Sequence, residues 1–148
     1  MRIFGKSGAL CYTPTTYTHM NNIQHTTVAI ADDHSLMRNT LATFLLNEGY
    51  NVILQAGNGQ HLLDQLIKEV RLPDICLLDV EMPVMDGYET ACYLRTHYPS
   101  IKILAITVFH NDKKKEKMLD CGAHGFISKT GEPEEWKSAL REVWEKGE

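Results

Sequence analysis

The sequence has no CxxC pair; its four cysteines, Cys11, Cys76, Cys92 and Cys121, stand far apart. That spacing suggests neither a zinc knuckle nor a dithiol redox motif, and the cysteines read as reduced structural thiols of a cytosolic protein. Cys76 lies in an apolar run and is expected as a small buried hydrophobe. No apolar stretch approaches the roughly 20 residues that a membrane-crossing helix needs. Arg2 and Lys6 precede no sustained apolar segment, so the start does not read as a signal peptide. There is no surplus of positive charge. The formal net charge is -4 and the pI about 6.0, which gives the chain no overall attraction to nucleic acid or to an anionic membrane. Internal repeats and low-complexity tracts are also lacking. What remains is 148 residues, 43% of them hydrophobic, the composition and length of one globular domain.

Residues 1–25 lack periodicity and are rich in Thr, Asn and His. They are expected to be a flexible N-terminal extension, with the folded domain over 26–148 and Met20 as an alternative start. From residue 27 two kinds of segment alternate. Short apolar, β-rich runs occupy Thr27–Ala31, Asn51–Ala56, Ile75–Leu78, Ile101–Val108 and Gly125–Ser128. Helical spacing predicts helices over Ser35–Glu48, with Leu36, Leu41, Phe44, Leu45 and Leu46, and over Gln60–Val70, with Leu62, Leu63, Leu66, Ile67 and Val70. Further helices are predicted over Tyr88–Tyr98, Asn111–Cys121 and Pro133–Lys146. The last has Pro133, Glu134 and Glu135 in its first turn, which suits the positive end of a helix. The run Ile75–Leu78 is apolar throughout, as in a strand covered on both faces. Strict alternation of five strands and five helices predicts an α/β fold with a doubly wound parallel sheet.

In such a sheet ligands bind at the carboxyl ends of the strands. Asp32 and Asp33 follow the first strand, Asp79 follows the third, Thr107 lies near the end of the fourth, and Lys129 follows the fifth. Three carboxylates in one place repel each other unless a cation sits among them. Oxygen ligands favour a hard cation such as Mg²⁺. A carboxylate beside such a cation, an ammonium and a hydroxyl can accept a phosphoryl group. Asp79, alone after the central strand, is the candidate acceptor; the Asp32–Asp33 pair suits metal binding by one acid and support from the other. The plainer readings are a structural ion pair for Asp79, a helix N-cap for Asp32, and a β-branched strand residue for Thr107.

Four segments, VAIADDH at 28–34, LLDVEMPVMDG at 77–87, ILAITVF at 103–109 and GAHGFISK at 122–129, together resemble the receiver domain of two-component response regulators. The resemblance spans nearly all of 27–146. It implies a flavodoxin-like (βα)5 fold with strand order 2-1-3-4-5. It implies that Asp79 is the phosphorylated residue, that Asp33 ligates Mg²⁺ directly and Asp32 through water, and that Glu81 offers its backbone carbonyl. Lys129 would contact the phosphoryl group, Thr107 would move to hydrogen-bond it, and Phe126 would follow as the switch aromatic. The donor would be a sensor histidine kinase or a histidine phosphotransfer protein. The output surface would be the 111–146 half, which is also where a homodimer would form. The DDH start and the GAHGFISK ending look closest to receivers that precede a LuxR-like helix-turn-helix. This domain itself is expected to bind neither membrane nor nucleic acid, to act in the cytoplasm, and to carry only self-phosphorylation and self-dephosphorylation chemistry.

The sequence departs from the family pattern at Thr130, where many receivers have Pro after the Lys. Glu81 and Phe109, two residues after Asp79 and Thr107, are expected to set the lifetime of the acyl phosphate. Other readings stay open: a stand-alone or non-phosphorylated interaction module, a flavin-binding electron carrier, or a metal-dependent phosphatase. The flavin reading lacks a phosphate-cradling loop after the first strand, and the phosphatase reading lacks an assignable general acid/base. His34, His110 and His124 are placed near the mouth as solvated or structural residues, Met82 and Met85 as loop packing. The lysines Lys113, Lys114, Lys115 and Lys117 read as a solvated face or a dock for an acidic partner.

Overall fold

The computed structural model describes residues 25–108 and 111–146. The expected extension therefore lies, apart from His25, outside the described residues, as do Phe109 and His110. Five strands form one parallel sheet: β1 (Thr27–Ala31), β2 (Asn51–Ala56), β3 (Ile75–Asp79), β4 (Lys102–Thr107) and β5 (Gly125–Ser128), ordered β2-β1-β3-β4-β5. Between and after them run α1 (Ser35–Asn47), α2 (Gly59–Leu66), α3 (Gly87–His97), α4 (Asp112–Asp120) and α5 (Pro133–Glu145). This is the doubly wound arrangement that the alternation predicts.

The central strands are apolar throughout because both faces are covered. Residues 75–79 of β3 and 27–31 of β1 are all buried. Alternate residues feed two cores. Ala29, Ala31, Cys76, Leu78, Ile103 and Ala105 face the layer of α2, α3 and α4, joined by Leu62, Leu66, Leu94 and Met118. Val28, Ile30, Ile75, Leu77, Leu104 and Ile106 face α1 and α5, joined by Leu41, Leu45, Trp136 and Leu140. Met82 and Met85 pack against the first core, as expected of loop methionines.

Helix α2 ends at Leu66, a turn short of the expected Val70. Lys68 and Glu69 close tight turns by bonding to the carbonyls of Gln65 and Leu66, and the chain then descends through the buried Pro73 toward β3. Ile67 and Val70, counted as core-facing, are exposed. In α1 only Leu41 and Leu45 are buried, while Leu36 and Leu46 face outward. Among the described residues no helix is long and apolar enough to cross a membrane.

Candidate functional site

Register brings the acids together. Ala31 of β1 pairs with Leu78 of β3, so Asp32 and Asp79 leave neighbouring strands at the same level. Asp79 lies beside Ile106, and Thr107 pairs with Ser128, one residue before Lys129. Lys129 N–H donates to the Thr107 carbonyl at 2.8 Å, which holds the lysine at the rim. The loop after β3 turns sharply beneath Asp79. Gly87 N–H donates to the Val80 carbonyl at 2.9 Å, and a side chain at Gly87 would meet the Asp79 carbonyl at 2.4 Å. Glycine is needed there for close backbone approach. Asp86 then caps α3 through a reciprocal box with Glu89.

The Lys129 ammonium is 2.7 Å from Asp32 Oδ2 and 3.1 Å from Asp79 Oδ2, and all three side chains are nearly buried. Its approach to Asp32 is off the hydrogen-bonding direction, so that buried oxygen has a charge partner but no directed hydrogen bond. Asp32 Oδ1 accepts the His34 N–H at 2.9 Å, and Asp79 Oδ1 accepts the Glu81 N–H at 3.4 Å. Burial pushes the Asp79 carboxyl up to about 6; Lys129 opposes this and the nearby Asp32 adds to it. Burial works against the Lys129 ammonium too, but the contact with Asp32 and the charges of both acids outweigh it and raise its pKa. Two buried carboxylates thus share one ammonium.

Asp33 stands exposed at the edge, and Asp32, Asp33, His34 and Asp79 each offer a ligand atom within 4.8 Å of the others. Three carboxylates, one bearing a buried oxygen without a directed donor, fit a hard divalent cation, which would also relieve the surplus negative charge. Beside the acids opens a cleft of about 130 Å³ lined by His34, Asp79, Glu81, Thr107, Val108 and Lys129. That space accommodates a group the size of a phosphoryl.

The structure thus brings Asp32, Asp33, Asp79, Thr107 and Lys129 to one rim. Phe126 lies apart from the carboxylates, half-buried against the core and lining a groove along α5. The Glu81 carboxylate turns away from the acids to pair with Lys114 of α4. Lys117 covers the Tyr88 ring at 4.1 Å. Two of the four lysines on the expected solvated face therefore tie α4 to neighbouring elements. His34 joins the acids, with Nδ1 3.2 Å from Asp33 Oδ1; only its place next to the Asp pair hinted at this. His124 is corrected: it lies at the opposite, amino end of the sheet. There its Nδ1 accepts the Ile103 N–H at 3.0 Å and its own N–H donates to the Ile103 carbonyl at 2.8 Å. Among the described residues, which include the Lys129–Thr130 bond, no peptide is cis.

Residues 28–141 match the family model of the response regulator receiver domain. The chain is 35% identical over 118 residues to the response regulator GacA of Pseudomonas aeruginosa, covering 79% of this chain and 54% of that protein. It is 37% identical over 103 residues to the transcriptional regulatory protein LnrK of Bacillus subtilis, covering 69% of this chain and 46% of that protein. The chain thus spans about half the length of these curated relatives. Among solved structures it resembles the signal receiver domain of the Mycobacterium tuberculosis response regulator NarL. The TM-score is 0.74 at 30% identity, over 82% of this chain and 97% of that one. A LuxR-family response regulator from an Aurantimonas species shares the fold, with a TM-score of 0.76 at 22% identity over 82% of this chain and 86% of that one.

Proposed function

Because the chain belongs to the response regulator receiver family, we propose that it is a phosphorylation switch whose acceptor is Asp79. The observation that carries this reading is the pairing of a buried Asp79 with Lys129 at the mouth of a phosphoryl-sized cleft. Asp33, Asp79 and the Glu81 carbonyl would hold Mg²⁺, with Asp32 supporting it through water. When bound, Mg²⁺ neutralises charge on the phosphoryl oxygens during transfer. An Asp79 carboxylate oxygen attacks phosphorus, the bond from phosphorus to the donor breaks, and the donor group departs with that electron pair. Lys129 meets one phosphoryl oxygen, and Thr107 donates its hydroxyl to another.

The donor is a histidine kinase or a histidine phosphotransfer protein in the cytoplasm. Drawing Lys129 toward the phosphoryl group weakens its hold on Asp32 and reorganises the rim. Thr107 and Phe126 carry that change to α4, β5 and α5, the output surface, through which a homodimer would form. One of these relatives, LnrK, is a transcriptional regulatory protein, which supports a role as the receiver part of such a protein. A stand-alone receiver has the same chemistry. Glu81 and Phe109 set the acyl-phosphate lifetime; unchanged dephosphorylation in both Glu81→Ala and Phe109→Ala would remove that assignment.

The test is incubation with a small acyl phosphate, with Mg²⁺ or with a chelator, followed by intact mass. One added phosphoryl group, dependent on Mg²⁺, is expected. No adduct on folded, metal-bound protein would overturn the reading.

A further inference from the structure

The acid rim carries a further carboxylate that the proposed site does not use. Glu81 follows the buried Val80, and its N–H donates to Asp79 Oδ1 at 3.4 Å. Glu81 lines the cleft of Asp79 on one side and a groove shared with Asp33 on the other. It therefore stands between the two acids proposed to ligate the cation directly. Its carboxylate nevertheless turns outward, to the Lys114 ammonium on α4.

The packing of α4 delivers Lys114 to that point. Asn111 caps the helix by accepting the Lys114 N–H at 2.8 Å. Met118 is buried in the core shared with α3. Lys117, one turn on from Lys114 and so on the same face, covers the Tyr88 ring at 4.1 Å. The loop after β3 is fixed as well, by the close approach of Gly87 to the Asp79 carbonyl and by the Asp86–Glu89 capping box. What stays adjustable is the Glu81 side chain, which is more than half exposed. An ion pair this open is weakly held. Removing its ammonium frees the carboxylate instead of stranding a buried charge.

We propose that Lys114 is a positioning residue that sets which cation the rim takes: by holding the Glu81 carboxylate outward, it keeps that carboxylate off the ion and favours Mg²⁺ over Ca²⁺. This rests on the cation site of the proposed function and not on phosphoryl transfer. Mg²⁺ demands near-octahedral geometry at about 2.1 Å, keeps several waters and commonly uses one or two carboxylates. Asp33 and Asp79 already supply those. Ca²⁺ accepts roughly six to eight oxygens at about 2.3–2.6 Å in flexible geometry, and its affinity rises with the number of charged ligands. A released Glu81 carboxylate would thus join a Ca²⁺ shell readily, whereas to Mg²⁺ it would offer mainly its charge.

The test titrates Mg²⁺ and Ca²⁺ separately into the unphosphorylated full chain and reads binding by calorimetry, with folding checked by thermal unfolding. Lys114→Met should tighten Ca²⁺ by about tenfold and Mg²⁺ by only about twofold. Lys114→Arg, which keeps the charge, should bind both ions as the parent does. Adding Glu81→Gln to Lys114→Met leaves the backbone carbonyl in place and should return Ca²⁺ binding to the parental value. A lysine that served only to anchor α4 would, when removed, loosen the loop and weaken both ions. Unchanged or weaker Ca²⁺ binding in folded Lys114→Met, equal tightening of the two ions, or a gain that survives Glu81→Gln would each overturn the proposal. A parent that binds neither ion would overturn the cation site and this proposal together. Failure of a Mg²⁺-binding parent to form an acyl-phosphate adduct would overturn the phosphorylation reading alone.

Discussion

Replacing Asp79 by Asn should make the metal-free protein more stable, and the gain should depend on pH. The Asp79 carboxyl is nearly buried, and its pKa is raised from 3.8 to about 6, first by burial and then by Asp32, against the pull of Lys129. A raised carboxyl pKa means that the folded state binds the proton more tightly than the unfolded chain does. The stability contributed by the protonated form is full below the ordinary value and is lost as pH rises through about 6. The whole shift corresponds to about 3 kcal/mol as an upper bound. Asn keeps position 79 uncharged at every pH but gives up the attraction to Lys129 at 3.1 Å. The expected net gain at about pH 8 is therefore about 1–2 kcal/mol. Urea unfolding in chelator at about pH 5 and about pH 8 reads it directly, provided the slope is unchanged. The gap between variant and parent should narrow toward the lower pH and on adding Mg²⁺, which stabilises only the parent's acid cluster. Equal or lower stability of Asp79→Asn at the higher pH would refute the picture of a crowded, undercompensated carboxylate.

Lys129→Met, close in volume, leaves Asp32 and Asp79 without their shared ammonium. It should lose about 3–5 kcal/mol in the same chelated unfolding assay, with partial recovery in Mg²⁺. Gly87→Ala places a methyl group 2.4 Å from the Asp79 carbonyl oxygen and 2.7 Å from Val80 Cα. It should destabilise by about 1–3 kcal/mol in thermal unfolding and displace the loop at 80–87, weakening Mg²⁺ binding measured by titration. At the far end of the sheet, burial, helped by Lys102 and Lys146, lowers the His124 pKa below 6.5. Nδ1 must stay unprotonated to accept the Ile103 N–H. The stability of this neutral form is present above 6.5 and falls as pH drops below it, a loss that should be absent in His124→Gln when unfolding is followed against pH.

How much the sequence discloses depends on what holds each piece in place. β1, β3 and β4 are legible because burial on both faces demands an unbroken apolar run, and acids mark the ends of β1 and β3. The set Asp32, Asp33, Asp79, Thr107 and Lys129 follows once the strands are aligned, since a parallel sheet delivers every strand end to one rim. Helix faces are less legible. Ile67, Val70, Leu36 and Leu46 fit the helical period but find no neighbour to cover them. In α2 the limit is tertiary, because the chain must leave the helix after Leu66 to start β3. His124 was misplaced because proximity to Lys129 in sequence hides that β5 lies between them, carrying them to opposite ends of the sheet. The pairings Glu81–Lys114 and Tyr88–Lys117 join residues 33 and 29 positions apart, and neither has a local signal. They arise only when α4 docks against α3 and the loop after β3.

The most direct measurement locates the phosphoryl group. Protein treated with an acyl phosphate and Mg²⁺ is reduced with borohydride, which converts an aspartyl phosphate to homoserine, and its peptides are mapped by mass spectrometry. Conversion at Asp79 alone is predicted. Conversion at Asp32 or Asp33 instead, or no conversion in folded protein that binds Mg²⁺, would contradict the assignment of Asp79 as the acceptor.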